Sequence, residues 1–125
     1  MKVEISDGEL LDKISILKIK LERILDVNKL KNIQTEYNAL TEIGAKLLEN
    51  EQVHTLYNKV KAVNETLWDL EDNIRMKEKN KIFDDEFIYY ARQIYVTNDR
   101  RAEVKKEINL RTGSIFVEEK SYEQY

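Results

Sequence analysis

Asn98, Asp99, Arg100 and Arg101 form an unbroken polar run inside a segment that otherwise reads as amphipathic helix. Phe87, Ala91 and Ile94 set a three-and-four spacing whose next two positions are Asn98 and Arg101. The spacing therefore points an amide and a guanidinium inward. A buried amide without partners costs about 1–3 kcal/mol and a charge costs more, so both groups need something to meet. Two arrangements answer that need. One is an internal polar network that fixes helix register. The other is an anion pocket between helices, in which Arg101 with Arg92 or Arg100 holds a small carboxylate or phosphate. In an antiparallel bundle Asn98 falls level with residues 17–21, with Tyr37 and with residues 63–67. Tyr37 and Asn64 then become its hydrogen-bond partners, and Glu36 or Glu65 the counter-charge for an arginine.

Other chemistry has less behind it. The chain holds one histidine, His54, and no cysteine, so disulfides and thiolate metal sites are excluded. Glu65, Asp69 and Asp72 share a helix face, but it lies opposite Leu67 and Leu70 and reads as solvated. Bundle metal sites project their carboxylates inward and recruit histidines, so no metal or other cofactor is expected. No serine pairs with a histidine, and Gly8, Gly44 and Gly113 build no phosphate-binding loop. Arg75, Lys77, Lys79 and Lys81 form a basic stretch broken by Glu78. With a net charge of −3, this argues against nucleic acid.

The elements that must position these groups are helices. Proline is absent and glycine occurs three times, too little punctuation for an all-β chain of 125 residues. Charged residues at 36% and apolar ones at 42% suit long amphipathic helices in one domain, 1–125. Ser6 and Glu9 fit a capping box. The first helix (about 7–25) carries Leu10, Ile14, Leu17, Leu21 and Ile24 on one stripe, widened by Leu11 and Leu25. Ile16 and Ile19 lie on the far side, between Asp12 and Arg23, which predicts a helix covered on two sides. The second (29–49) carries Leu30, Ile33, Tyr37, Leu40 and Leu47, with Gly44 allowing a close approach. The third (52–79) has the most regular seam, Val53, Leu56, Val60, Val63, Leu67, Leu70 and Ile74. An aspartate, Asp84 or Asp85, caps the fourth (84–111), and Gly113 stands where a left-handed cap belongs. The expected fold is an all-α, antiparallel up-down bundle of four helices with short extended termini. Val3 and Ile5 are expected to pair with Ile115 and Val117 as two strands, and 114–125 forms a C-terminal tail.

Helices three and four exceed the first in length, so their connecting turn overhangs. Ile74, Ile82, Phe83, Phe87 and Tyr90, with Ile88 and Tyr89, gather there, more apolar surface than water tolerates comfortably. A homodimer contact is expected at that end, and a further protein partner is compatible with it. The start of the chain has no basic segment followed by an apolar one, and no 18 apolar residues run together. A soluble, cytoplasmic protein without membrane contact is expected.

Four stretches also carry a resemblance: residues 8–17 (Gly8, Glu9, Leu10, Leu11, Asp12, Lys13), 67–75 (Leu67, Trp68, Asp69, Leu70), 98–102 (Asn98, Asp99, Arg100, Arg101, Ala102) and 118–122 (Glu118, Glu119, Lys120, Ser121, Tyr122). Together they resemble a small helical domain family of bacteria and marine phages with no assigned activity. That family occurs alone, or associated with glycosyltransferase-type and tetratricopeptide proteins. The resemblance implies that 118–122 folds back on the body, and it singles out Asp12, Lys13, Asn98, Arg101, Lys120 and Tyr122. The leading expectation is a helical interaction or assembly module, accessory to surface-polysaccharide synthesis by association. The alternative is a small all-helical enzyme binding an anionic metabolite, similar to chorismate mutase. The balance is against an enzyme, because the first helix is short and brings no inward arginine.

Overall fold

The computed structural model describes residues 1–116 and 119–125. Four helices follow one another: α1 (Asp7–Arg23), α2 (Val27–Leu48), α3 (Glu51–Lys79) and α4 (Asp85–Thr112). Each begins on a side chain that accepts from its first turn: Ser6 from the Glu9 N–H, Asp26 from Lys29, Asn50 from Gln52 and Val53, and Asp84 from Phe87. α3 ends on Lys81, which adopts the left-handed conformation with φ 55°, and α4 ends on Gly113 with φ 70°. At the α3 end the Ile82 N–H reaches the Lys77 carbonyl and the Lys81 N–H reaches that of Glu78. This is a Schellman cap with lysine in the place glycine usually takes.

α1 is the central element and packs against all three other helices, while α2 leans on α1 and α3 and barely meets α4. The core cluster joins Leu10, Leu11 and Ile14 of α1 to Val53 and Leu56 of α3 and Ile108 of α4. α2 closes it with Tyr37, Leu40, Leu47 and Leu48. Gly44 faces this contact, where a Cβ would stand 2.8 Å from the Ile14 Cδ1, the end of a side chain. Every member of the α3 seam from Val53 to Leu70 is buried. Ile19 is buried too, so the second apolar strip of α1 is covered as expected.

Three expectations change. Leu25 is exposed, because α1 stops at Arg23 before the stripe could use it. On α4, Ala91 is exposed and Asn98 only half-buried, whereas Thr97, Lys105, Ile108 and Asn109 are buried. The inward seam is rotated off the Phe87–Ala91 line and runs through Ile94, Thr97, Arg101, Lys105 and Ile108. Finally, no strand pairs the termini among the described residues, and Val3, Ile5 and Ile115 are exposed. Val117, the remaining member of that pairing, lies outside the described residues. Side-chain caps replace the strand ladder: Ser114 Oγ accepts from the Asp7 N–H at 3.2 Å and Asn109 Oδ1 from the Gly8 N–H at 2.7 Å.

Candidate functional site

The polar groups that sequence spacing brings inward meet on one strip of α1. Asp12, Ser15 and Ile19 follow a helical spacing, and this strip faces α3 and α4. Asp12 is only 1% exposed. Its carboxylate receives Arg101 in a two-pronged bond, Nε to Oδ1 at 2.9 Å and Nη2 to Oδ2 at 2.6 Å. Asn64 of α3 donates from one Nδ2 to both Asp12 Oδ1 (2.9 Å) and Ser15 Oγ (2.8 Å), and Ser15 donates on to the Asp12 carbonyl. Lys105, 6% exposed, stands 3.9 Å from Asp12 Oδ2 and 2.8 Å from Glu9 Oε2. Two acids thus face two bases across the α1–α4 seam, with an amide from α3 tying in the third helix. A buried carboxylate with this many donors is an ordering device, because any other register would strand a charge.

The seam can be this close because of Gly8. A Cβ there would meet the Lys105 carbonyl oxygen at 2.4 Å and Asn109 Oδ1 at 2.9 Å. The first four amides of α1 are all engaged: Asp7 by Ser114, Gly8 by Asn109, Glu9 by the Ser6 hydroxyl and Leu10 by the Ser6 carbonyl. The positive end of the α1 dipole is therefore answered from within. Glu9 does not return to the Ser6 amide as a capping box would have it, but goes to Lys105. Asn109 Nδ2 is buried without a partner among the described residues, a cost of about 1–3 kcal/mol that the Gly8 bond and the tight seam offset.

The counter-charges expected for Arg101 are engaged elsewhere. Glu36 meets Lys13 at 3.6 Å and Glu65 meets Lys61 at 3.6 Å. Asp12 takes their place because the far side of α1 is the side α3 and α4 cover. Asn64 does join, though its side-chain amide donates to Asp12 and Ser15 and not to Asn98. Asn98 sits beside the network, in a cleft of about 490 Å³ floored by Ile16, Ile19 and Leu67 and flanked by Trp68. The Arg23 guanidinium lies 5.8 Å from the centre of the Trp68 ring. On its other side Asn98 faces the C-terminal tail with Lys120 and Tyr122. The structure thus brings Asp12 to Arg101, and Lys120 and Tyr122 to Asn98. Lys13 points to α2, and Arg92 lies on an outer α4 face with Asp85, Ile88, Tyr89 and Gln93. Lys105, Asn109 and Ser15 were missed by sequence reasoning. The signal was present in Lys105 and Asn109, which follow Arg101 at successive helical turns, and in Gly8, one turn before Asp12.

At the overhang, beyond the level where Arg23 meets Asp69, only α3 and α4 remain. Phe83 and Phe87 pack edge to face at 5.2 Å, and Lys77 bridges Asp84 and Glu86 at 2.9 Å each. The hydrogen bond to Asp84, then that to Glu86, raises the Lys77 pKa; Lys77 in turn, followed by the Phe87 amide, holds Asp84 below the usual carboxylate range. The turn is pre-organised, yet Met76, Ile82, Phe83, Ile88 and Tyr89 remain exposed, Phe83 at 58% and Ile88 at 53%. Of the expected contact residues, Ile74, Phe87 and Tyr90 are half-buried within the hairpin.

Among the described residues no group of three or more histidine, cysteine or acidic side chains could hold a metal ion, and no helix is long and apolar enough to cross a membrane. No curated protein and no solved structure matches the chain. The pattern read from Gly8 through Tyr122 nonetheless has a home: a family described as a family of unknown function (DUF6165) matches residues 1–125, and the chain belongs to it.

Proposed function

We propose that this chain is a helical assembly module that pairs with a second copy of itself through the overhanging end of the α3–α4 hairpin. The observation that carries the proposal is the exposed apolar group of Met76, Ile82, Phe83, Ile88 and Tyr89 around a turn in which Lys77 pairs with Asp84 and Glu86. Its charges suit a two-fold partner. The end of α3 carries the basic Arg75, Lys79 and Lys81, and the start of α4 the acidic Asp85 and Glu86. In an arrangement that set the end of α3 in one copy against the start of α4 in the other, Lys79 and Asp85 would bring opposite charges together around an apolar centre, while Arg75, Lys81 and Glu86 keep their partners within the chain. A further protein partner would be sought among enzymes of surface-polysaccharide synthesis, a context that rests on the family resemblance alone.

The anionic-metabolite reading draws less support, because Arg101 already spends Nε and Nη2 on Asp12. A ligand would have to displace a buried carboxylate.

Sedimentation velocity from low to high micromolar concentration tests the pairing. The expected result is a concentration-dependent dimer that Phe83→Glu with Ile88→Glu reduces to monomer while the helical circular dichroism stays unchanged. A wild-type chain that remains monomeric throughout, or a variant that still dimerises, overturns the proposal.

A further inference from the structure

A second surface of α4 is partly roofed by the chain's own C-terminal residues. Ala91, Ile94, Tyr95, Asn98 and Asp99 line one side of the helix, and residues 120–125 arch over them. The arch is held at points along its length. Lys106 meets Glu119 at 3.4 Å, and Lys120 stands 3.8 Å from Asp99. The Tyr125 phenol donates to Asp99, and its ring lies 5.2 Å from that of Tyr95. Under the arch is a cavity of about 720 Å³, the size of a small-molecule site.

Its lining narrows the chemistry. Ala91, Ile94 and the rings of Tyr95, Tyr122 and Tyr125 supply apolar surface with polar tips, while Asn98 and Gln124 each bring an amide that both donates and accepts. No side-chain hydrogen bond occupies the Asn98 amide among the described residues, although it is half-buried. Charge is nearly balanced. Lys120 and Tyr125 answer Asp99, so a cation finds the acid already engaged. Glu123 at the lip disfavours anions.

From this we infer that the cleft between α4 and the tail binds an uncharged, polyhydroxylated ring compound of the pyranose class. The rings take its C–H face, and Asn98 and Gln124 take its hydroxyl edge. The cleft is separate from the overhang, so it stands or falls independently of dimerisation.

The test is a nitrogen–proton correlation NMR titration of the full chain with glucose, methyl mannoside and N-acetylglucosamine in turn, and with adenosine as a flat uncharged control. The expected result is saturable shifts confined to Ala91, Tyr95, Asn98 and residues 120–125 with at least one sugar. Asn98→Ala should weaken that binding about tenfold or more, the loss expected of one buried hydrogen-bonding pair. Tyr122→Ala, on an exposed tail side chain that cannot compromise the bundle, should weaken it as well. Absence of shifts with every sugar, shifts with adenosine alone, or sugar binding that Tyr122→Ala leaves untouched overturns the assignment.

Discussion

The two halves of α4 invert the usual rule of burial. In the C-terminal half the buried side chains are Lys105, Ile108 and Asn109, two of them polar. In the N-terminal half the exposed ones include Ile88, Tyr89 and Tyr95. The difference teaches how to sort architecture from interface on one helix. Lys105 and the Arg101 beside it are buried or half-buried because α1 brings Asp12 and Glu9 to them. Ile88 and Tyr89 are exposed because they lie on the outer face of α4, turned away from the seam with α1. α1 also stops short of this level: at 17 residues it spans about 25 Å, against about 43 Å for the 29 residues of α3. A polar group that finds its partners within the chain closes a site, and an apolar group that finds none leaves one open.

The largest effect should come from breaking the closed half. Arg101→Met leaves the Asp12 carboxylate buried beside Asn64 and Lys105, and should cost about 3–5 kcal/mol in urea unfolding. Asp12→Leu combined with Arg101→Met should recover most of that loss, since an apolar pair strands no charge. If the double variant is as unstable as the single one, the seam depends on more than charge pairing.

Next in size is a contrast between two glycines. Gly8→Ala drives a Cβ onto the backbone of Lys105, which cannot step aside, and should cost about 1–3 kcal/mol. Gly44→Ala meets only the Cδ1 methyl of Ile14, the far end of a side chain that can rotate. There the gain in helix propensity of about 1 kcal/mol should roughly cancel the crowding. Thermal unfolding of both proteins measures the difference.

At the open half, Lys81→Gly should stabilise the chain by about 1 kcal/mol by removing a left-handed lysine from the turn. It should leave self-association unchanged if Phe83 and Ile88, and not the turn backbone, make the contact.

The smallest effect is on titration. Burial, with Tyr37 and Glu22 nearby, pushes Tyr57 up to about 12, and the bond to Asp99 does the same for Tyr125. A phenol whose folded pKa exceeds its unfolded one stabilises the folded arrangement fully below about pH 10 and loses that contribution as pH rises toward 12. Tyr57 and Tyr125 should therefore ionise late in an ultraviolet titration, and Tyr125→Phe should remove one of those two late steps. The tail should come away from α4 over the same range.

Much of this was legible in the residues. The caps at Ser6, Asp84 and Gly113, the α3 seam and the close approach at Gly44 follow from local chemistry and helical spacing, and the structure keeps them. Arg101 was legible as a charge pointing inward. Its partner was not, because α1 has two apolar strips and spacing alone does not say which one α3 and α4 cover. Asp12 was singled out by the family resemblance, beside a strip expected to be covered, but spacing did not pair it with Arg101. Lys105 and Asn109 were hidden for a related reason: a lysine one turn after an arginine reads as solvated face until a glycine on the neighbouring helix lets the backbones close. The cap at Lys81 escaped notice because its residue is not glycine.

The division of α4 into a closed and an open half is tested most directly by isotope-filtered NMR on a mixture of labelled and unlabelled chains, which reports only contacts between copies. Intermolecular signals from Ile82, Phe83, Ile88 and Tyr89, with none from Ile19, Arg101 or Ile108, are the expected result. Intermolecular contacts at the Asp12–Arg101 seam, or none at the overhang at millimolar concentration, would contradict it.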